Sequence, residues 1–379
     1  MKNNQLEKLS DYADYSKAKI SIAEIDTKCY FSTENMLPNK GGVTEAAGLP
    51  TQDNVTKVLP ENVLVSNIRP YFKKIYFANE LAGASNDVLC FVAKNGCLPR
   101  YLYYLLSSDS FFDYMMAGAK GTKMPRGDKG QIMNFPVWVP AQNEQSRIVS
   151  VLSALDEKIE NISKINHNLE QQAQVLFERL LCSGNGETTL DSIALINPPR
   201  SLKKGCLARC IDMAQLSTSQ SFPQLGTIKP YSGGMKFKNG DTIFARITPC
   251  LENGKTAYID FLKEDEVAFG STEYIVMSSR GGMPSPFFYC LARYKDFIEY
   301  ATKRMNGSSG RQRVSADAIA AFPIPFFSGD AMCEFGKTAL PVFNVIKNNS
   351  IENLRLAALR DTLLPRLMSG EIDVSEVEV

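Results

Sequence analysis

The chain says nearly the same thing twice, and this repetition restricts its possible folds more than any other feature. From Asn62 it reads N-V-L-V-S-N-I-R-P, and from Asp241 it reads D-T-I-F-A-R-I-T-P. Each word opens on a polar residue, places apolar residues on alternate positions and ends in proline, the pattern of a strand closed by a turn. F-P-V-W-V-P from Phe135 is answered by F-P-I-P-F from Phe322. A long charged-and-aliphatic stretch follows each, closing as E-R-L-L at Glu178 and P-R-L-M at Pro365. The offset is about 180 residues near the start of each copy and 187 near the end. A duplicated unit presents two similar surfaces to a partner, whereas an enzyme normally needs one active site.

Four segments follow from this repeat. Residues 1–140 form a mixed globular part, with strands expected near 63–68, 75–78 and 88–92 and a helical stretch over 99–116. Residues 141–184 are a connector helix. Residues 185–328 form the second globular part, with strands near 242–247, 256–261 and 274–277 and a helical stretch over 284–305. Residues 329–379 are a second connector helix and a tail. Each globular part turns through a Gly/Ser/Thr loop, A-K-G-T-K-M-P-R-G-D-K-G in the first and N-G-S-S-G-R-Q-R-V in the second. Glycines there permit unusual backbone angles and close approach to a partner.

The connectors carry a heptad seam. Ile148, Leu152, Leu155, Ile159, Ile162, Asn166, Leu169, Ala173, Leu176 and Leu180 recur at alternating steps of four and three, which places Asn166 at an a position. The same register returns 187 residues later in Phe335, Ala339, Val342, Ile346, Asn349, Asn353, Leu356, Arg360, Leu363 and Leu367, with Asn353 where Asn166 stands. Asn349 and Arg360 intrude on this second seam. Two such helices in one chain are expected to pair. An antiparallel coiled coil with a globular part at each end then accommodates both copies about a pseudo-twofold axis. The fold class is therefore α+β: two mixed α/β parts joined by two long helices. Buried asparagines in the seam fix its register at some cost in stability, the alternative being that both face solvent.

With 379 residues, each half is long enough to bury its own core. The net charge of +1 hides local clusters. Residues 120–129 hold four cations, Lys120, Lys123, Arg126 and Lys129, against Asp128. Residues 293–313 hold six, Arg293, Lys295, Lys303, Arg304, Arg311 and Arg313, against Asp296 and Glu299. The two clusters occupy equivalent places in the copies. Local potential, rather than net charge, governs contact with a phosphate backbone.

Catalytic signatures are sparse. The single histidine, His167, lies beside the seam, so histidine-based metal nucleases and Ser–His–Asp hydrolases have no support. No G-x-x-x-x-G-K-[ST] loop occurs. Asn197-Pro198-Pro199-Arg200 approaches an adenine-methyltransferase tetrapeptide but puts arginine where the aromatic belongs, and is read as a turn. Glu252 and Lys255 are spaced unlike a nuclease core. The nine cysteines form no C-x-x-C pair and are read as reduced thiols. No apolar run spans a membrane and the first residues lack a signal-peptide core, so a cytoplasmic protein is expected.

The order of globular part, long helix, globular part and long helix resembles the DNA-specificity subunit of type I restriction–modification systems. The resemblance covers nearly the whole chain. Its most specific words are G-D-T-I-F-A-R-I-T-P-C-L-E-N-G-K-T-A at Gly240, F-G-S-T-E-Y-I-V at Phe269 and L-P-R-L-M-S-G-E-I-D-V at Leu364. The first copy departs more, and Ala84-Ser-Asn-Asp stands where Gly270-Ser-Thr-Glu does. The resemblance implies that each globular part is a target-recognition domain reading one half of a bipartite asymmetric double-stranded DNA site. It implies that the helices form a spacer on which two methyltransferase subunits dock, with restriction subunits completing an ATP-dependent nuclease. This chain is then non-catalytic and carries no cofactor or metal, S-adenosylmethionine, ATP and Mg being expected on partner subunits.

Lys120, Lys123 and Arg126 in the first loop, and Arg304, Arg311 and Arg313 in the second, are candidates for phosphate or guanine contact. Thr122, Ser308 and Ser309 are candidates to position the backbone or bond a base. Asn67, Arg69, Arg246 and Thr248, at the ends of the duplicated strand, form a second rank. The competing reading is a coiled-coil scaffold whose two domains bind proteins. Salt dependence separates the two, because phosphate contacts weaken steeply with added salt.

Overall fold

The first heptad stretch forms one helix of 42 residues, Gln142–Ser183, in a computed structural model that describes residues 6–308 and 310–377. Neither proline nor glycine interrupts it, so every backbone N–H after the first turn finds its carbonyl. It stops where the Ser183 hydroxyl caps the Leu180 carbonyl at 2.8 Å and Gly184 follows. A Cβ at Gly184 would stand 2.6 Å from Pro325, so the chain turns only because nothing is there. The second long helix, Gly329–Met368, begins under a Ser328 hydroxyl that accepts the Ala331 N–H at 3.2 Å.

The chain divides into two compact units, and the division cuts both helices. The first unit runs to Glu157 and resumes at Leu356; the second spans Lys158–Arg355. Within the second unit the helices pair antiparallel: Lys158 meets Glu352 at 3.1 Å, while Asn166, further along, bonds the earlier residues Ile346 and Asn349. Within the first unit Asp156 meets Arg360 at 2.9 Å. The seam residues Ile148, Leu152, Asn166, Ile346, Leu356 and Leu367 are buried, and Leu155, Ile159, Ile162, Leu169, Leu176, Val342, Asn353 and Leu363 are half-buried. Asn166 therefore does not face solvent. Arg360, an intruder by sequence, is accommodated because Asp156 neutralises it.

Both globular parts are built on one plan. In the first, a four-stranded antiparallel sheet orders Ala13–Tyr15, Val88–Ala93, Val63–Ser66 and Ile75–Phe77. In the second, Ala194–Ile196, Tyr274–Ser279, Thr242–Ala245 and Thr256–Tyr258 follow the same order. The duplicated word supplies the third strand each time, and all four of its residues are buried in both copies. A second sheet in each part shares three strands: Ala82–Ala84 is flanked by parallel Tyr30–Phe31 and antiparallel Asn54–Val58. In the other copy, Ala268–Gly270 is flanked by parallel Leu207–Ile211 and antiparallel Lys236–Phe237. The copies diverge in the fourth strand. Lys19–Ser21 pairs beyond Asn54–Val58 in the first, whereas Thr227–Pro230 pairs beyond Leu207–Ile211, at the opposite edge, in the second.

The single helical stretches expected over 99–116 and 284–305 are each two helices. Pro99–Leu106 and Asp109–Ala117 are separated at Ser108, whose hydroxyl accepts the Phe111 N–H at 3.3 Å and so starts a new helix. Pro286–Arg293 and Lys295–Lys303 are separated at Tyr294, which is extended at φ −74° and ψ 131°. These helices cover one sheet face and carry the aromatic cores. Phe91, Tyr101, Phe111 and Phe112 pack with Ile148, Leu152, Leu364 and Leu367 in the first unit. Phe244, Phe287, Phe288 and Phe297 pack with Ala173, Phe177, Phe335 and Phe343 in the second. Each sheet-and-helix core is thereby closed by segments of both long helices. No helix among the described residues is long and apolar enough to cross a membrane.

Candidate nucleic-acid interface

The basic loop of each copy is stitched to the end of the duplicated strand, although some sixty residues separate the two in sequence. In the first unit the Asn67 carbonyl accepts the Gly127 N–H at 3.2 Å, and the Arg69 N–H donates to the Pro125 carbonyl at 2.8 Å. Ile68 pairs with Arg126, and Arg126 with Lys120, as antiparallel bridges. In the second unit the Arg246 carbonyl accepts the Val314 N–H at 3.0 Å, and the Thr248 N–H donates to the Gln312 carbonyl at 3.1 Å. Ile247 pairs with Arg313, and Arg313 with Asn306. The bridging pattern is the same in both copies, so Arg126 and Arg313 hold equivalent positions.

A carboxylate holds each of these arginines. The Asp87 carboxylate lies 3.2 Å from Arg126. In the other copy Arg313 binds Glu273 through both Nε and Nη2 at 2.7–2.9 Å, a fork-on-fork pair. That pairing holds the Glu273 carboxyl below the ordinary range, with Arg313 as the main cause. The strand end is bound to the same acids from the backbone side. The Asn67 N–H donates to the Asp87 carbonyl at 2.8 Å, and the Arg246 N–H to the Glu273 carbonyl at 2.9 Å. Asp87 and Glu273 thus hold strand end and loop together, and neither was among the residues singled out from sequence. The signal was present in the alignment of Ala84-Ser-Asn-Asp with Gly270-Ser-Thr-Glu, which sets the two acids in register.

The remaining candidates fall into distinct settings. Lys120 is exposed and paired with Asp128 at 2.8 Å. Lys120 and the N–H groups of Gln131 and Gly130 lower that carboxyl to about 2. Thr122 and Lys123 are exposed on the loop, and so are Ser308 and Arg311; among the described residues Lys123 and Arg311 enter no ion pair. Arg304 is exposed and lies 3.4 Å from the centre of the Tyr300 ring, a cation–π contact. Ser309 lies outside the described residues. Asn67 is buried, its amide donating to the Gly127 carbonyl at 3.2 Å, so its side chain frames the loop. Arg69 and Arg246 are half-buried, and the Thr248 hydroxyl accepts the Gln312 N–H at 3.2 Å.

The cation cluster over 293–313 is thinner in space than in sequence. Arg293 donates to the carbonyls of Gly254 and Thr218 at 2.8 and 2.5 Å, and Lys295 and Lys303 both flank Glu299. Arg200, in the Asn-Pro-Pro-Arg turn, is bound to the buried Asp241 at 2.6 Å and to Ser278, which accounts for it as a structural arginine. Lys255 donates to the Met213 carbonyl at 2.8 Å, and Glu252 is exposed. All nine cysteines are free thiols. Among the described residues no group of three or more His, Cys, Asp or Glu side chains is placed to hold a metal ion.

Two mixed domains of one plan, joined by long helices and each carrying a latched basic loop, define a duplicated architecture. A family model for the type I restriction modification DNA specificity domain matches residues 6–171. The specificity subunit of the type I restriction enzyme HindI of Haemophilus influenzae is 22% identical, over 96% of this chain and 100% of its own length. That of MjaIX of Methanocaldococcus jannaschii is also 22% identical, over 85% of this chain and 80% of its own. The crystal structure of a type I restriction–modification S subunit from M. genitalium has the same fold, with a TM-score of 0.58 at 18% identity over 97% of each chain. The chain is thus similar to the DNA-specificity subunits of type I restriction–modification systems over nearly its whole length.

Proposed function

We propose that this chain reads a bipartite, asymmetric DNA site, one half with each globular part, and that it does so without catalysis of its own. One observation carries this reading: the same arginine–carboxylate latch underlies a basic loop in both copies, while the exposed residues on the loops differ. A shared frame with unlike tips is what two different half-sites require. The exposed cations Lys123, Arg304 and Arg311, with Lys120 and the exposed hydroxyls of Thr122 and Ser308, make the first contacts with the backbone and with base edges. The framed residues Asn67, Arg69, Arg246, Thr248, Arg126 and Arg313 hold the loops in place.

In the same reading the paired helices set the unread gap and offer the platform on which two methyltransferase subunits dock. S-adenosylmethionine, ATP and Mg then belong to the modification and restriction subunits, and the complex works in the cytoplasm on double-stranded DNA. Exchange of residues 1–140 for those of another specificity subunit, followed by sequencing of the methylated sites, is the test. One half-site is expected to change while the other half and the gap persist. A single continuous site, or simultaneous change in both halves, contradicts the reading. Insertion of four residues in Gln142–Ser183 adds about 6 Å of helix, close to two base pairs, and is expected to lengthen the gap with both half-sites unaltered.

A further inference from the structure

Beside the basic loop of the first unit stands a pair of aromatic side chains that the duplicated strand does not carry in its other copy. Tyr71 and Phe72 follow Arg69-Pro70 and are 48% and 36% exposed, with ring centres 4.6 Å apart. At the matching positions Cys250 is half-buried and Leu251 is 3% exposed. The second unit therefore turns its corresponding apolar residue inward, and the first displays two rings.

The backbone beneath the rings is held on every side. Pro70–Phe72 is a single 3-10 turn flanked by Arg69 and Lys73, both left-handed at φ 50°. The Phe72 N–H donates to Arg69 at 3.0 Å and the Lys73 N–H to Pro70 at 2.8 Å. From outside, the N–H groups of Asn39 and Lys40 donate to the carbonyls of Phe72 and Lys73 at 2.7 and 2.9 Å. Non-glycine residues at positive φ, here Arg69 and Lys73, cost free energy. That cost is offset by backbone bonds that fix the turn from which the two rings project. The turn is also fastened to the basic loop, since Arg69 N–H bonds the Pro125 carbonyl, and Met124, next in line, is 49% exposed. Cations outnumber acids around it: Arg69 and Lys73 bracket the turn, Lys73 and Lys40 share the single carboxylate of Asp109 at 2.9 and 3.4 Å, Lys74 donates to the Thr33 carbonyl at 2.6 Å and lies 5.7 Å from the Phe72 ring, and Lys123 follows on the loop.

We infer that Tyr71–Phe72 is a rigid aromatic wedge that the first globular part sets against the bases of its own half-site. The occupant is duplex DNA, because the rings lie within a cationic surface continuous with the loop proposed to contact phosphates. Apolar side chains pressed against a base step unstack it, and the ease of that unstacking depends on sequence. The second globular part, with Leu251 turned inward, presents no such wedge at this position. This inference rests on the DNA-reading function proposed above.

The test uses the full chain. Duplexes are first selected from a random pool, and affinity is then measured for the selected duplex and for two derivatives, each with one half scrambled. Tyr71→Ala is expected to weaken binding to the selected duplex by about tenfold or more, within the range of aromatic–base contacts. It should leave the salt dependence of binding unchanged and make one particular half indifferent to scrambling. Tyr71→Phe keeps the ring and is expected to bind as the parent does, and Cys250→Ala at the matching position should have no effect. Unaltered affinity in Tyr71→Ala, or an equal loss on every duplex, overturns the wedge while leaving the DNA-reading function standing. Failure of the parent chain to select any sequence overturns that function, and the wedge with it. Because Tyr71 is exposed, an unchanged melting temperature in Tyr71→Ala verifies that the comparison concerns contact, not folding.

Discussion

Asn166 and Asn353, 187 positions apart, make the same two hydrogen bonds from opposite helices. Asn166 donates to the Ile346 carbonyl at 3.4 Å and to the Ser350 hydroxyl at 3.1 Å; Asn353 donates to the Ile159 carbonyl at 3.2 Å and to the Ser163 hydroxyl at 3.0 Å. Each serine in turn donates to the isoleucine carbonyl one turn before it, at 2.7 and 2.8 Å. The symmetry ends at the amide oxygens. Asn166 Oδ1 accepts from Asn349 at 2.8 Å, whereas Asn353 Oδ1 is buried without a partner among the described residues. The position matching Asn349 in the first helix is Ile162, which has no donor to offer.

Unequal costs follow for the two asparagines. Asn166→Ala removes three hydrogen bonds and strands the Asn349 amide, and is expected to cost about 2–3 kcal/mol. Asn353→Ala loses only two bonds and relieves an unpaired oxygen, so about 1 kcal/mol is expected. Urea unfolding of the two variants measures the difference, and equal losses would contradict the asymmetry.

The latch at Glu273 predicts an acid-side dependence. Its carboxyl is lowered below the unfolded value by Arg313, so its contribution to stability is present above the unfolded pKa of about 4.3 and disappears as pH falls through the folded one. Both side chains are partly exposed, which keeps the contribution to about 1 kcal/mol or less. Glu273→Gln should flatten the acid limb of a stability–pH profile relative to the parent. In DNA binding it should lower affinity for the cognate site while leaving salt dependence nearly intact.

Removing an exposed loop cation should act in the opposite manner. Lys123→Ala or Arg311→Ala is expected to weaken binding to all duplexes alike and to reduce the slope of log affinity against log salt by about one. Titrations at several salt concentrations separate these loop cations from the latch.

Asp260 offers a test on the alkaline side. Burial raises its carboxyl to about 7, against the opposing influence of Lys347. The fold favours the protonated form of Asp260 over the ionised one, so stability falls as pH rises from about 4 through 7. Asp260→Asn should therefore gain on the order of 2 kcal/mol at pH 8 and change little at pH 4. Thermal unfolding at the two pH values gives the comparison.

The periodic features were legible because they repeat locally. The contiguous apolar runs at Val63–Ser66 and Thr242–Ala245, and the four-three spacing through Gln142–Ser183, state their structures within a few residues. Breaks in structure were less visible. Ser108 reads as one more residue in a helical stretch until its hydroxyl is seen to cap a new helix. The two intruders in the second seam were legible as exceptions only, since their partners Asn166 and Asp156 lie on the other helix.

Sequence by itself determined the duplication, the shared seam and the two loops rich in cations, because each is a pattern along the chain. Which cations remain available was decided by tertiary structure. Arg293, Arg126 and Arg313 look like Arg311 in sequence, yet acceptors distant in the chain hold the first three and none of them holds the fourth among the described residues. The exposure of Tyr71 and Phe72 was settled in the same way, by a turn fastened from residues 39 and 40 on one side and 125 on the other. Charge and apolarity belong to a residue, but availability belongs to its neighbours, and only folding chooses those.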